Sequence, residues 1–343
     1  MKKKYIPNTW KDRKNHYIMA LDEPWYKLLV KLENLLSVET TKFYQKYGIT
    51  TIHLPVTTGS ISSPMGRGSD SLPVKVNIEG VETYLADSMQ FLLEYGCRLC
   101  DKGVYYIMPS FRGEKADERH LCQFYHSEAE IPGSLTDVMN LIEKYIKYLS
   151  KQVLKKLGLE IENMIGDISH IKKMAQYKGH FPKITFDEAE KELLKVHPND
   201  INKYIEYNDG WRNITRAGEK EIMKLHNGLI WITNYDILAV PFYQKYDIKI
   251  KGTTKNADLL MGIGETVGCG ERHDNYNELV NSLKIHSVDE NDYEWYINLK
   301  KIKPLNTSGF GMGMERFIMW ILKCDDIRNT QICLRFNGEN ILP

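Results

Sequence analysis

Residues 111–124 read Phe111-Arg112-Gly113-Glu114-Lys115-Ala116-Asp117-Glu118-Arg119-His120-Leu121-Cys122-Gln123-Phe124. The stretch joins two β-like runs. Val104 to Phe111 looks like a buried strand, and Phe124 to Ile131 alternates as an antiparallel partner would. The connection between them is long for a hairpin and densely charged. Two arginines and a histidine brought together there make an anion trap, because each guanidinium offers a planar fork of donors suited to phosphate oxygens. Taken alone, the same segment reads equally well as a solvated hairpin.

Two further clusters change that balance. Gly309-Phe310-Gly311-Met312-Gly313-Met314-Glu315-Arg316 runs from a strand end into an apolar helix, and its small residues let backbone approach a ligand. Asp258, Glu265 and Arg272 recur at seven-residue steps in a stretch, 258–272, that reads as one glycine-punctuated strand. Residues an odd number apart face opposite sides of a strand unless a bulge intervenes, and the glycines at 262, 264, 268 and 270 permit bulges. Alone, Asp258 and Glu265 would be surface carboxylates.

Around these clusters the pattern predicts helices over 24–46, 90–99, 137–156, 276–285 and the end of 309–322. It predicts strands at 49–56, 74–78, 82–86, 229–236, 240–246 and 248–251, and a Ser/Gly/Pro loop at 59–68. Residues 157–227 read as a polar, mostly helical insertion. Antiparallel strands with segregated helices argue an α+β fold. A hydrophobic content of 42% is that of a folded chain, and 46 basic against 45 acidic residues leave a net charge of +1. That balance argues against wrapping nucleic acid through bulk charge. No apolar run approaches the roughly 18 to 20 residues of a membrane span, and the start, Met1-Lys2-Lys3-Lys4-Tyr5, has no signal-like segment behind it. The six cysteines, with Cys97 and Cys100 the nearest pair, lack a partner set for zinc. A cytoplasmic chain with free thiols and no membrane association is expected.

In combination and in this order, the clusters resemble the catalytic domain of the class II aminoacyl-tRNA synthetases, in the aspartyl/asparaginyl/lysyl subgroup. Phe-Arg-Gly-Glu…Arg-His-Leu…Phe…Glu-Ala-Glu (111–130) resembles that family's motif 2, and 309–316 resembles motif 3. Gly48 to Pro55, after a long helix, resembles motif 1, which implies a homodimer, although an ordinary core helix and strand would look the same. The asparaginyl branch is echoed by Tyr84-Leu85-Ala86-Asp87-Ser88-Met89-Gln90, by Gly264-Glu265…Glu271-Arg272 and by Asp292-Tyr293-Glu294-Trp295-Tyr296. The resemblance spans roughly residues 24–336. It implies an antiparallel sheet flanked by helices, with ATP and Mg²⁺ as cofactors.

It also implies roles. Arg112 would bridge the ATP α-phosphate and the reacting carboxylate. Glu114 would accept from the adenine amino group. Phe124 and Arg316 would cover the two faces of adenine. Arg119 and His120 would hold the γ-phosphate, and Asp258 and Glu265 the Mg²⁺. Ser88, Gln90, Glu128 and Arg272 would form the amino-acid pocket. Glu128 accepts and Arg272 donates, which matches a side-chain amide, and an aspartate bound in reverse also fits. The aspartyl branch's pocket lysine is here Leu93.

The chain departs from the family in places. Residues 1–23 are a basic extension ahead of a catalytic domain at 24–343, with no room for the N-terminal β-barrel that reads the anticodon. Asp87 and Gln123 stand where the asparaginyl branch has Gln and Glu. Thr215-Arg216-Ala217-Gly218-Glu219 occupies the place of a loop that closes over substrate, with Arg216 unexpected there. These departures led to the expectation of an AMP-forming ligase of asparagine-synthetase type. Its acceptor would be ammonia or another amine, with tRNA not a partner. A shortened asparaginyl-tRNA synthetase, or a ligase loading another carrier, is the alternative. A non-catalytic regulator that binds amino acid or tRNA is a further one, against which Arg112, Glu265 and Arg316 are all retained.

Overall fold

The computed structural model describes residues 5–62, 66–69 and 71–341. A short helix α1 (His16–Asp22) leads into α2 (Pro24–Lys46). Proline opens α2, where its missing N–H costs nothing, and Gly48 follows its end at φ 71. Strands β1 (Thr50–Thr51), β2 (Thr57–Thr58), β3 (Val74–Ile78) and β4 (Val81–Leu85) precede α3 (Gln90–Gly96), β5 (Val104–Phe111) and β6 (Gln123–Pro132). Helix α4 (Leu135–Ile165) starts at a capping box in which Ser134 and Asp137 satisfy each other's backbone N–H groups. Next come α5 (Ser169–Ala175), β7 (Lys183–Thr185), α6 (Phe186–Val196), the hairpin β8 (Ile205–Asn208) and β9 (Trp211–Ile214), and α7 (Arg216–Leu225). The chain closes with β10 (Leu229–Thr233), β11 (Asn256–Met261), β12 (Gly264–Glu271), α8 (Tyr276–His286), α9 (Glu294–Ile302), β13 (Thr307–Gly313) and α10 (Met314–Leu322).

Among the described residues, eight strands form one sheet in the order β1-β5-β6-β13-β12-β11-β10-β7. Its two outer pairs, β1 with β5 and β7 with β10, are parallel and the inner pairs antiparallel. This is the α+β arrangement expected from the sequence. Successive side chains of a strand point to opposite faces. On one face Ala129, Ala257, Leu259, Val267, Cys269, Phe310 and Met312 join a core with Leu29 and Leu32 of α2, Ile142, Tyr145 and Ile146 of α4, and Phe317 and Ile321 of α10. On the other face, Leu93 of α3 covers the β5 end with Val104 and Tyr106. Phe186 of α6 and Ile222 of α7 cover the β10 end with Ile230 and Ile232. Between them the middle strands are left as the floor of a cleft.

Several expectations are corrected. Residues 258–272 are two strands of a hairpin, not one. Residues 240–246 and 248–251 form turns and isolated bridges instead of strands, and of 49–56 only Thr50–Thr51 pairs. The 258–272 run is broken by a turn at Gly262–Ile263, where Gly262 takes φ 69. Helix α3 stops at Gly96, and α4 runs on to Ile165, into the predicted insertion. That insertion contributes β7 to the main sheet and carries the β8–β9 hairpin. The expected loop at 59–68 lies partly outside the described residues, as do Lys2, Lys3 and Lys4. The rest of the basic extension packs at Thr9, Trp10 and His16, while Lys11 and Lys14 are exposed. Trp10 lies against Phe336 at 6.5 Å with the Arg328 guanidinium 3.7 Å over its ring, and His16 bonds the Ile332 carbonyl at 2.9 Å. Among the described residues no helix is long and apolar enough to cross a membrane, and the cysteines are free thiols.

Ile142 sits fully buried where α4 meets the sheet. Ile142→Ala leaves a cavity there and should cost about 2–5 kcal/mol, read as a lower urea midpoint at unchanged slope.

Candidate active site

The cleft floor is paved with glycine. Gly268 pairs with Gly311 and Gly270 with Gly309 across β12 and β13, all pointing away from the core. A Cβ on Gly309 would fall on the Glu130 carboxylate, and one on Gly270 on the Gln244 amide. Bare backbone is what lets charged side chains lie flat on this face. A cavity of about 710 Å³ sits above it, within the range that holds a nucleotide-sized ligand. Every side chain given a binding or catalytic role from the sequence lines it except Glu114. Glu114 turns toward the 71–73 segment and accepts the Leu72 N–H at 3.0 Å, leaving its Oε1 buried, 3.7 Å from Arg112 and without a hydrogen-bond partner.

One end of the cavity is set by β6. Strand alternation puts Phe124, His126, Glu128 and Glu130 on the cleft face. Glu128 accepts from Ser88 Oγ at 2.7 Å and from the Tyr106 hydroxyl, and His126 Nδ1 lies 3.1 Å from its other oxygen. Burial works against its charge, but these partners, His126 foremost, hold the carboxyl below its usual range. Opposite it, Arg272 bonds Glu130 through Nε and Nη2 and Gln244 through Nη1, at 3.1–3.3 Å. Burial opposes the Arg272 charge too, and Glu130 and Glu94 outweigh it. Under this pair lies a second, fully buried one. Glu94 holds Lys300 and accepts from Tyr296 OH at 2.6 Å. Such pairs persist only when every charge has a partner. Gln90 Nε2 is buried with no partner.

The other end gathers cations. Arg112, directly after β5, stacks 5.5 Å from the Phe124 ring, and its Nε is buried and unpartnered. Arg119 Nε and Nη1 are likewise buried without partners. Arg316, from the first turn of α10, bonds the Glu265 carbonyl at 2.6 Å, and burial pulls its guanidinium below the usual range. Desolvated cations with open donors are the complement of phosphate. Glu315 ties β6 to α10 by accepting the Tyr125 N–H at 3.0 Å.

The parity question over Asp258 and Glu265 has a structural answer. They lie on the two strands of the β11–β12 hairpin, and a register shift at Leu259/Leu260 lets both carboxylates lean over Gly268. Burial, then the neighbouring Glu265, pushes Asp258 well above the carboxylate range, against the Tyr235 hydroxyl. A cation would relieve that crowding. Among the described residues no three His, Cys, Asp or Glu side chains form a metal-ligand set. A divalent ion at this pair would therefore take its other ligands from phosphates and water, as Mg²⁺ commonly does.

Sequence reasoning missed His126, Glu130, Gln244, Lys300 and Glu219 as parts of the site. Alternation along β6 was a legible signal for the first two. The 215–219 segment is also not a loop. Thr215 caps α7, its hydroxyl accepting from Gly218 N, and Glu219 reaches Arg119 at 2.6 Å.

Residues 11–333 match the description of the class II tRNA synthetases of the D, K and N type. The chain belongs to that family. This synthetase is an ATP-dependent ligase by that membership. It is 30% identical over 329 residues to the asparagine–tRNA ligase of Thermoplasma acidophilum, covering 93% of this chain and 73% of that protein. It is 34% identical to the enzyme of the same name from Pyrococcus abyssi over 71% of this chain and 55% of that protein. The crystal structure of asparaginyl-tRNA synthetase from Pyrococcus horikoshii complexed with asparaginyl-adenylate superposes with a TM-score of 0.85 at 25% identity, over 96% of this chain and 73% of that one. The family uses ATP and Mg²⁺, and the donor sets described above fit both.

These relatives correct the expectation that tRNA is not a partner. They are named for joining asparagine to tRNA, and nearly the whole of this synthetase aligns with one of them. An ammonia-dependent amidation finds no support among them. That expectation leaned on the length of chain ahead of the first helix, which carries no information about the acceptor.

Asp87 beside this pocket makes a pH test. Burial pushes its carboxyl up to about 6, against Arg112 and the Ser62 hydroxyl, which lies 3.1 Å from both oxygens. A carboxyl with a raised folded pKa binds its proton more tightly in the fold, so stability declines as pH rises from the unfolded value of 3.8 to about 6. Asp87→Asn removes that loss. The variant should match its parent near pH 4 and gain up to about 3 kcal/mol at pH 8 in thermal unfolding. A gain confined to acid pH would contradict this.

Proposed function

We propose that this synthetase activates asparagine with ATP and transfers it to tRNA. The observation that carries the reading is the Glu128–Arg272 arrangement at the closed end of the cavity. Glu128 is an ionised acceptor held by three side chains. Arg272 uses three of its five N–H donors on Glu130 and Gln244, so two remain to be used. An amide side chain offers one donor for Glu128 and one acceptor for Arg272. Aspartate is the poorer fit, because Glu130 already neutralises Arg272 and Glu128 would repel a second carboxylate. The Asp87 carboxyl and Gln90 are polar partners for the remaining groups of an amino acid.

At the other end, adenine would lie between Phe124 and Arg316, both of which line the cavity. Arg112 would hold the α-phosphate and Arg119 and His120 the γ-phosphate. Asp258 and Glu265 would hold Mg²⁺, which when bound neutralises phosphate charge. The asparagine α-carboxylate attacks the α-phosphorus, the bond to the bridging β-phosphate oxygen breaks, and pyrophosphate leaves. A tRNA hydroxyl then attacks the acyl carbon and AMP leaves. Arg112 faces the charge that grows on the α-phosphate in the first step, where a preorganised cation has most effect.

The test is amino-acid-dependent ATP–pyrophosphate exchange over a panel that includes asparagine and aspartate, followed by charging of labelled amino acid onto total tRNA. Asparagine should support exchange and enter tRNA. Exchange with aspartate alone, or label that never reaches tRNA, would refute the reading. Arg112→Ala should lower exchange by about 10²–10³-fold with little change in unfolding temperature.

A further inference from the structure

Two residues one turn apart on α7 grip the loop between β5 and β6. Glu219 meets Arg119 Nη2 at 2.6 Å, with both side chains largely buried. Arg216 meets Asp117 Oδ2 at 2.9 Å, lies 3.7 Å from Glu118 and donates to His120 Nδ1 at 3.1 Å. Asp117 is the pivot of that loop. Its Oδ1 accepts the backbone N–H groups of both Arg119 and His120, at 2.7 and 2.8 Å. Helix α7 thus holds the loop by its backbone, through Arg216 and Asp117, and by a side chain, through Glu219 and Arg119.

The geometry of Arg119 shows what the second grip does. Glu219 occupies one terminal nitrogen and leaves Nε and Nη1 buried in the cavity with no partner. A long, flexible guanidinium lying against Gly264, the neighbour of Glu265, would otherwise swing onto that carboxylate, since an unpaired charge in a buried cleft is costly. Gly264 makes room for the contact. A Cβ there would overlap both Glu219 Oε2 and Arg119 Nη2, and its φ of 144 also favours glycine.

We propose that α7 is a positioning element for the phosphate end of the cavity, in which Glu219 aims Arg119, and Arg216 fixes the loop through Asp117, so that their donors face the terminal phosphates of ATP. This deepens the adenylation reading and rests on it. Neither residue needs to touch substrate. The footprint is therefore selective, because AMP lacks the phosphates that Arg119 would reach while ATP carries them.

The experiment measures equilibrium binding of Mg-ATP and of AMP to the full chain, to Glu219→Gln and to Arg216→Met. Glu219→Gln keeps the shape and loses the charge, so ATP affinity should fall about tenfold while AMP affinity stays unchanged. Arg216→Met, on a half-exposed pair, should show the same selectivity with a loss of about threefold, and it keeps the test open if the first variant misfolds. In pyrophosphate exchange the loss should appear in KM for ATP, with that for asparagine unmoved. ATP binding as tight as the parent's or tighter in Glu219→Gln would overturn the proposal, because Glu219 would then compete with phosphate for Arg119. Equal losses for ATP and AMP would reduce α7 to a structural prop and overturn it too. A parent chain with no affinity for ATP would overturn the adenylation reading itself, and this inference with it.

Discussion

Four glycines in two facing pairs, Gly268 with Gly311 and Gly270 with Gly309, are the constraint on which the rest of this molecule turns. A sheet face ordinarily carries a layer of side chains at every second residue. Here that layer is missing over the middle strands, and Glu130, Gln244 and Arg272 occupy the space instead. The opposite face of the same strands is continuous aliphatic core against α2, α4 and α10. Backbone rigidity comes from that side and chemical freedom from the other.

The cavity has two electrostatic ends, and each is balanced differently. At the amino-acid end, acids and bases are buried in pairs: Glu130 with Arg272, and Glu94 with Lys300 beneath them. Pairing of these charges makes this end a fixed template. At the phosphate end the pairing is incomplete. Arg112 and Arg119 keep unpartnered donors, and Asp258 is crowded by neighbouring carboxylates. Buried donors and crowded carboxylates of this kind are costly until an anion or a cation meets them. The contrast is between charges that are paired at one end and cations with open donors at the other.

The segment between α4 and β10 joins these ends to the rest of the fold. Read by composition it is a polar insertion, yet it adds an edge strand to the main sheet and lays α7 over the phosphate end. A helix held to the sheet through Ile222 and to a loop through charged pairs can transmit the position of one to the other. That makes the loop between β5 and β6 part of the scaffold, despite its length and charge.

Periodicity and residue type alone carried much of this protein. The α2 and α4 stripes, the β5–β6 pair, the α+β class and the motif segments with their arginines were all legible, because amphipathic spacing and fork-shaped donors are local properties. Alternation along β6 would have yielded His126 and Glu130 as well. What the sequence could not decide was which residues distant in the chain meet. Glu219 lies 100 positions from Arg119, and Lys300 lies 206 from Glu94. No period links such pairs, and their charges read as solvated until burial is known. Runs such as 240–246 have strand composition yet form turns and isolated bridges, so propensity failed there as well. The sequence determined the elements and the chemistry they carry. Only the tertiary structure decided the pairings, because Coulomb partners and close backbone approach depend on distance in space, which composition does not record.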